Sequence, residues 1–144
     1  VLFRSGRELG WRDALEDAGL TTEHLIRVRW SAAGGATAAR RLATDHRPAT
    51  AVFTSSDQQA IGLIAGLQRT DRSIPADLAL ASFDGSPEAA YTVPPLTTVD
   101  VPLAAMADEA VAQVLAPSGT SRRHDTRLIL RSSCGCPAGD DQLL

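Results

Sequence analysis

The sequence predicts an α/β fold in which a parallel sheet is flanked by helices. Three apolar runs each end in small polar or acidic residues that begin a turn or a helix: Ile26–Trp30, Thr50–Ser55 and Leu78–Phe83. This repeated order of strand, turn and helix is typical of a parallel sheet. The polar ends of its strands lie along one edge, where open sheets of this class bind ligands. We therefore expect a small-molecule site at that edge.

The first half of the chain supplies two helices and two strands. Helical spacing of apolar residues predicts a helix over Arg7–Ala18 that ends at Gly19, followed by a strand over Leu25–Trp30. The apolar face of a second helix is formed by Ala36, Ala39, Leu42 and Ala43. Pro48 interrupts the helical pattern before it, so we expect the strand Thr50–Ser55 to begin after this proline.

The second half repeats these signals. Ser56 and Gln59 have the spacing of a capping box, and an apolar stripe follows them. Ser86 and Pro87 predict another helix start, with Ser86 as the N-cap and the proline in the first turn. The last predicted elements are a strand, a long helix and a closing strand, at Leu96–Val101, Leu103–Ala116 and Arg127–Arg131.

The length and the net charge of the chain indicate a single domain of ordinary composition. A chain of 144 residues can form one hydrophobic core. Its net charge of −3 argues against a broad surface for nucleic acid or anionic lipid, since such surfaces need clustered Lys and Arg. No apolar run approaches the length of a membrane span, so we expect no membrane partner.

Catalytic and metal-binding patterns are absent from the sequence. No histidine is placed beside a Ser or Cys in a nucleophile-like turn, and Cys134-Gly135-Cys136 lacks the second pair of ligands that a metal site needs. There is also no glycine-rich phosphate loop of the known kinds. We therefore predict no catalytic residue, no metal and no cofactor.

Several motifs in one order resemble a known family. They are GRELGWRDALEDAGL, TAVFTSSDQQAIG, IPADLALASFDG, PEAAYTVPPLTTV and LILRSSCGCP, and together they cover nearly all of Gly6–Pro137. This combination resembles the effector-binding core of the lac and galactose repressor (LacI/GalR) family of bacterial transcription regulators. The resemblance implies a fold like that of periplasmic sugar-binding proteins. In that fold two α/β lobes close over a small ligand, and in the regulators a helix-turn-helix DNA-binding head precedes them.

The resemblance also implies a division of the chain. Residues 6–101 correspond to the C-terminal lobe without its first strand, and residues 102–117 to a crossover helix that packs in the other lobe. Residues 126–137 return to the first lobe as its closing strand, and residues 138–144 form a tail. Residues 1–5 back-translate to the end of a sequencing adapter and are predicted to be non-native. A natural N-terminal strand or an expression scar are the alternatives for them.

Four residues match the ligand-binding positions of the family. The resemblance implies that Arg7 reaches the polar edge of a ligand, that a sugar or base stacks on Trp30, and that Asp84 accepts hydrogen bonds from ligand hydroxyls. Ser56 stands where the family often has Asn, which shortens the reach of that side chain. A carboxylate and a guanidinium beside an aromatic face suit a polyol. We expect Arg7, Trp30, Ser56 and Asp84 around one concavity.

These residues also have structural interpretations. Arg7 can be an exposed residue of a first helical turn, Trp30 a core residue, and Asp84 the cap of the turn before Ser86. Asp57 begins a helix and is predicted to be a structural cap rather than a ligand contact.

Two functions are compatible with these observations. The first is the effector-binding and dimerisation region of a cytoplasmic regulator, with a sugar as effector and operator DNA bound only through the missing N-terminal head. The alternative is a fragment of a periplasmic sugar-binding protein of an ABC transporter. The segment around Tyr91, Pro95 and Leu96 favours the regulator, and we expect it at a homodimer interface. Because the second lobe is missing, Leu103 and Met106 should be exposed or should pack in a non-native way.

Overall fold

The computed structural model describes residues 6–21, 24–45, 48–116 and 119–136. The predictions for residues 1–5 and for the tail at 138–144 concern residues outside these ranges. The described α-helices are α1 Gly6–Asp17, α2 Ala32–Thr44, α3 Asp57–Leu67 and α4 Leu103–Leu115. The strands are β1 Ala51–Phe53, β2 Ala79–Asp84, β3 Thr97–Asp100 and β4 Arg127–Ile129. Two short 3₁₀ helices cover Pro87–Tyr91 and Ser132–Cys134.

The four strands form one sheet in the order β1-β2-β3-β4. The first three are parallel, and β4 runs antiparallel to β3. In this register Phe53 lies beside Ala81, and Asp84 beside Asp100. The carboxyl ends of β1, β2 and β3 therefore meet at one edge of the sheet. The predicted fold class, α/β with a mostly parallel sheet, is confirmed.

The strand predicted over Leu25–Trp30 is wrong. The structure describes residues 24–30 without any strand, and β1 hydrogen-bonds only to β2 within the sheet. A strand is held by a ladder of hydrogen bonds to a neighbouring strand. The described part of the chain places no strand beside this segment. Its alternation of apolar residues alone is therefore not enough to form a strand. It is held instead by contacts such as the bond from Gln59 Nε2 to the Arg29 carbonyl oxygen, 3.2 Å long.

Helices α2 and α3 pack closely against each other because glycines face the contact. A Cβ on Gly35 would lie 1.9 Å from the Gln59 carbonyl oxygen, and one on Gly62 would lie 1.8 Å from the Ala32 carbonyl oxygen. No larger residue fits at either position without moving a backbone. The core lies under this helix pair and is formed by Ala39, Leu42, Ala60, Leu63, Ile64, Leu67, Leu78, Leu80, Ala89 and Leu96.

The structure contains both predicted helix starts, at Ser56 and at Ser86, but only one of the two side chains makes a cap hydrogen bond. Ser56 is the N-cap of α3, and its Oγ accepts a hydrogen bond of 3.3 Å from the Gln59 amide, as the capping-box spacing predicts. The helix start predicted at Ser86 is also confirmed, with Pro87 in the first turn and Ser86 as the N-cap residue. Its side chain makes no cap hydrogen bond, and the helix that follows is a five-residue 3₁₀ helix, Pro87–Tyr91. The proline fits a first turn, but the segment is too short to need a side-chain cap.

Helix α4 has no buried residue. Leu103 is 64% exposed and Met106 is 42% exposed, as the sequence predicted. The assignment of helix α4 to a second lobe stays a prediction. No helix within the described ranges is long and apolar enough to cross a membrane.

Candidate functional site

Arg7 is the centre of the candidate site. It lies in the first turn of α1, and its Nη2 is 2.9 Å from Asp84 Oδ1 at the end of β2. Its Nη1 donates a hydrogen bond to the Ser55 carbonyl oxygen after β1. The guanidinium carbon lies 4.2 Å from the centroid of the Phe83 ring and 5.2 Å from that of Trp30. One side chain therefore joins the ends of two strands to an aromatic residue outside the sheet.

A concavity of about 860 Å³ opens beside Arg7, between α1 and one face of the sheet. Its wall is mostly apolar, with two tryptophans and two phenylalanines. It is lined by Gly6, Arg7, Gly10, Trp11, Ala14, Trp30, Phe53, Phe83 and Val99. An apolar concavity with a few polar groups at its edge is the usual form of a small-molecule site. Trp30 is 56% exposed, so the alternative that it is a core residue does not hold.

Asp84 has an unusual backbone that directs its side chain. Its φ is +128°, a value that residues other than glycine rarely adopt, and Gly85 follows with φ +76°. A Cβ on Gly85 would lie 2.5 Å from Asp100 Oδ1, so the turn passes directly over the end of β3. Successive residues of a regular strand point to opposite faces. Here Phe83 and Asp84 both contact Arg7, which fits the irregular backbone at Asp84.

The ion pair with Arg7 does not lower the pKa of Asp84 below its ordinary value. Burial raises the pKa of Asp84 above its ordinary value, and the neighbouring Asp57 acts in the same direction. Arg7 acts in the opposite direction without cancelling the effect of burial, although it lies only 2.9 Å away. The ion pair with Arg7 therefore does not offset the cost of burying this carboxylate.

Asp57 is structural, but it does not cap the helix as predicted. Ser56 occupies the N-cap, and Asp57 is the first residue of α3 and is buried. Its Oδ1 accepts a hydrogen bond of 2.7 Å from Thr98 Oγ1, and its Oδ2 accepts one of 2.7 Å from the Ser86 amide. Thr98 Oγ1 in turn accepts from the Gly85 amide at 3.3 Å. Asp57 thus fixes the turn that carries Asp84.

The burial of Ser56 and Leu96 disagrees with the roles predicted for them at the ligand site and at the dimer interface. Ser56 is fully buried, and its hydroxyl is occupied as the helix cap, so the structure does not place it at the concavity. Leu96 is also fully buried and belongs to the core, which rules it out as an interface residue in this fold. Tyr91, in contrast, is 78% exposed. Pro95 is partly buried, and its carbonyl oxygen accepts from the Ser133 amide at 3.0 Å.

Sequence reasoning missed the role of the two phenylalanines. Phe53 is the last residue of β1 and Phe83 is the residue before the end of β2, and the sequence predicts both only as strand residues. The register places both on the face that carries Val99, under α1. Period-two alternation from the buried Leu80 would have put Phe83 on the face opposite the core helices.

Comparison with known proteins gives consistent matches. A sequence model of the family described as "Periplasmic binding protein-like domain" matches residues 4–134. The transcriptional repressor MelR of Bacillus subtilis is 34% identical over 129 residues, which cover 86% of this chain and 38% of MelR. The chain thus spans well under half the length of that relative.

Two of the solved structures that are similar to this chain contain a bound sugar. A LacI-family transcriptional regulator from Lactobacillus casei with bound sucrose has a TM-score of 0.74 and 29% identity, and the match covers 87% of this chain and 49% of that one. The complex of the transcriptional regulator CelR with cellobiose has a TM-score of 0.73 and 28% identity, over 88% of this chain and 41% of that one.

These matches agree with the topology of the sheet and with the motifs in the sequence. LacI-family transcriptional regulators are not enzymes, which confirms the prediction that the chain has no catalytic role. The chain therefore belongs to the periplasmic binding protein-like domain family, in the form found in LacI-family transcriptional regulators.

Proposed function

We propose that this chain is part of the effector-binding and dimerisation region of a bacterial transcription regulator, and that its effector is a sugar or a related polyol. The observation that carries this proposal is the Arg7–Asp84 pair beside the rings of Trp30 and Phe83. Sugars present hydroxyl groups along the ring edge and C–H groups on its faces. A charged donor, a charged acceptor and an exposed aromatic face match both parts of such a ligand.

The ion pair is suited to opening for a ligand. The side chains of Arg7 and Asp84 are 28% and 35% exposed, and a pair in that position contributes only about 0–1 kcal/mol to stability. Each hydrogen bond to a charged group contributes about 1.5–3 kcal/mol. Asp84 can therefore exchange part of its contact with Arg7 for ligand hydroxyls at small cost.

The relatives support the ligand class. Sucrose is bound to the Lactobacillus casei regulator and cellobiose to CelR. Both are disaccharides, with many hydroxyl groups and C–H faces that can lie on an aromatic ring. Ser56 is occupied as a helix cap, so the polar contacts in this chain come from Arg7 and Asp84.

The regulator is favoured over a periplasmic sugar-binding protein by the relatives and by one surface. MelR is a transcriptional repressor, and Tyr91 and Val93, two residues apart in the sequence, are 78% and 75% exposed. Exposed apolar side chains of this kind suit a dimer face. The proposal places the protein in the cytoplasm, as a homodimer that binds operator DNA through a separate head. DNA upstream of the codon for Gly6 should encode a helix-turn-helix rather than a signal peptide.

A fluorescence screen tests the proposal. The chain has two tryptophans, Trp11 and Trp30, and both line the concavity. Titration with a panel of sugars, including sucrose and cellobiose, should produce a saturable change in intrinsic fluorescence with at least one of them. In Trp30→Phe the change should shrink, because Trp11 alone reports. Nucleobases serve as the comparison ligands. A response to nucleobases alone, or to none of these ligands, would contradict a sugar effector.

A further inference from the structure

The two cysteines of the chain lie away from the concavity, and the proposed function does not use them. Cys134 ends the second 3₁₀ helix, which is tied to the sheet through Ser133. Ser133 Oγ accepts a hydrogen bond of 2.8 Å from the Thr97 amide and donates one of 2.7 Å to the Leu80 carbonyl oxygen. Thr97 begins β3, whereas Asp84 ends β2. The cysteines therefore lie at the end of the sheet opposite the candidate ligand site.

The pair does not form part of a larger metal-binding cluster. Within the ranges that the structure describes, no three His, Cys, Asp or Glu side chains come together in a way that could hold a metal ion. Both cysteines are free, with Cys134 half-buried and Cys136 exposed. The chemistry open to them is therefore that of two neighbouring thiols.

The local backbone brings the amide of Cys136 to the sulfur of Cys134. Gly135 has a φ of +77°, and this left-handed turn lets the Cys136 amide donate a hydrogen bond of 3.3 Å to Cys134 Sγ. Because an N–Cα bond is about 1.46 Å long, Cys134 Sγ lies within about 4.8 Å of Cys136 Cα. A rotation of the exposed Cys136 side chain can bring its sulfur to bonding distance.

The two thiols differ in ionisation. Burial opposes ionisation of Cys134, but hydrogen bonds with Thr97 and with Cys136 outweigh it and hold the pKa of Cys134 below its ordinary value. The hydrogen bond with Cys134 and the charge on that residue raise the pKa of Cys136. The thiolate is the nucleophile in cysteine chemistry, and oxidation-sensitive cysteines are often poised beside a second, resolving cysteine.

We propose that Cys134 and Cys136 form a thiol-oxidation site that takes a peroxide as its oxidant and closes to a disulfide within the chain. The Cys134 thiolate attacks one peroxide oxygen, the O–O bond breaks, and the leaving hydroxide takes a proton to become water. Cys134 is then a sulfenic acid. The Cys136 sulfur attacks the Cys134 sulfur, the S–O bond breaks, and the leaving hydroxide takes the Cys136 proton. Two thiols are oxidised to one disulfide, and hydrogen peroxide is reduced to two water molecules.

Mass spectrometry of the chain after treatment with hydrogen peroxide and an alkylating reagent tests this site. These are the only cysteines in the sequence, so the product is read without background from others. We expect the peptide that contains both cysteines to lose two hydrogen atoms and to resist alkylation until it is reduced. In Cys136→Ser, Cys134 should be trapped as a sulfenic acid by dimedone. In Cys134→Ser, Cys136 should react with peroxide several-fold more slowly.

The same reaction in urea, at a concentration that unfolds the chain, is the control for local geometry. Disulfide formation should be several-fold faster in the folded chain, because the turn at Gly135 and the bonds around Cys134 are lost on unfolding. Equal rates in both conditions would overturn the proposal. Oxidation without a disulfide, a disulfide between two chains, or equal reactivity of the two single variants would also overturn it.

Discussion

Asp84→Asn separates the role of the carboxylate in binding from its role in stability. Asparagine has nearly the same size and shape as aspartate, so we expect it to keep the turn at φ +128°. The substitution removes an ion pair whose side chains are 28% and 35% exposed, which contributes about 0–1 kcal/mol. It also removes a carboxylate whose pKa is raised by burial. We therefore expect the free energy of unfolding to change by less than about 1 kcal/mol.

Ligand binding should respond more strongly to this substitution. Asparagine keeps one acceptor oxygen but lacks the charge, so a hydrogen bond from a sugar hydroxyl should weaken by about 1–1.5 kcal/mol, which raises the Kd about 5- to 10-fold. Isothermal titration calorimetry with the sugar that gives the strongest fluorescence response measures the Kd, and urea unfolding measures the stability. An unchanged Kd would refute the role of Asp84. A loss of several kcal/mol in stability would show that Asp84 is mainly structural.

Three further predictions concern packing, pH and DNA. Gly35→Ala should lower the free energy of unfolding by about 1–3 kcal/mol or more, because its Cβ would lie 1.9 Å from the Gln59 carbonyl oxygen. Gly10→Ala, in a helix position with nothing within 4 Å, should raise it by about 0.5–1 kcal/mol, and equal effects in the two variants would contradict the packing argument. Hydrogen bonds from Ser73 hold the pKa of Asp77 below its ordinary value. The stabilisation by Asp77 is therefore complete above the unfolded-state pKa and is lost as the pH falls through the folded-state pKa. Asp77→Asn should flatten the pH dependence of urea unfolding in that acidic range, and a parallel pH profile would disprove this assignment. The chain alone should not shift operator DNA in a gel at physiological salt, since its net charge is −3, and a specific shift would overturn that prediction.

The sequence was sufficient for features that depend on local spacing. Apolar periodicity and end signals placed α1, α3 and α4 within a few residues, and Gly19 ends α1 with its amide bonded to the Glu16 carbonyl oxygen at 2.9 Å. The acidic residue at the end of β2 and the arginine of α1 are also predicted as site residues, and the structure joins them in one ion pair.

The features that the sequence did not predict depend on distant partners. Residues 25–30 have strand composition, but a strand needs a neighbour, and the described chain supplies none there. The spacing of Ser56 and Gln59 predicts the helix cap, but only the folded structure shows that the capping hydroxyl is fully buried and away from the concavity. Leu96 is predicted at a dimer interface because it is close to Tyr91 in the sequence, yet it packs in the core.

In the proposed function, a sugar occupies the concavity beside Arg7. The proton–nitrogen NMR spectrum of the tryptophan indole groups, recorded during a sugar titration, tests this claim most directly. The chain has two such groups, and both line the concavity. We predict that both indole signals shift in a saturable way and give the same Kd. A sugar that binds by calorimetry but moves neither indole signal would show that the ligand site lies elsewhere.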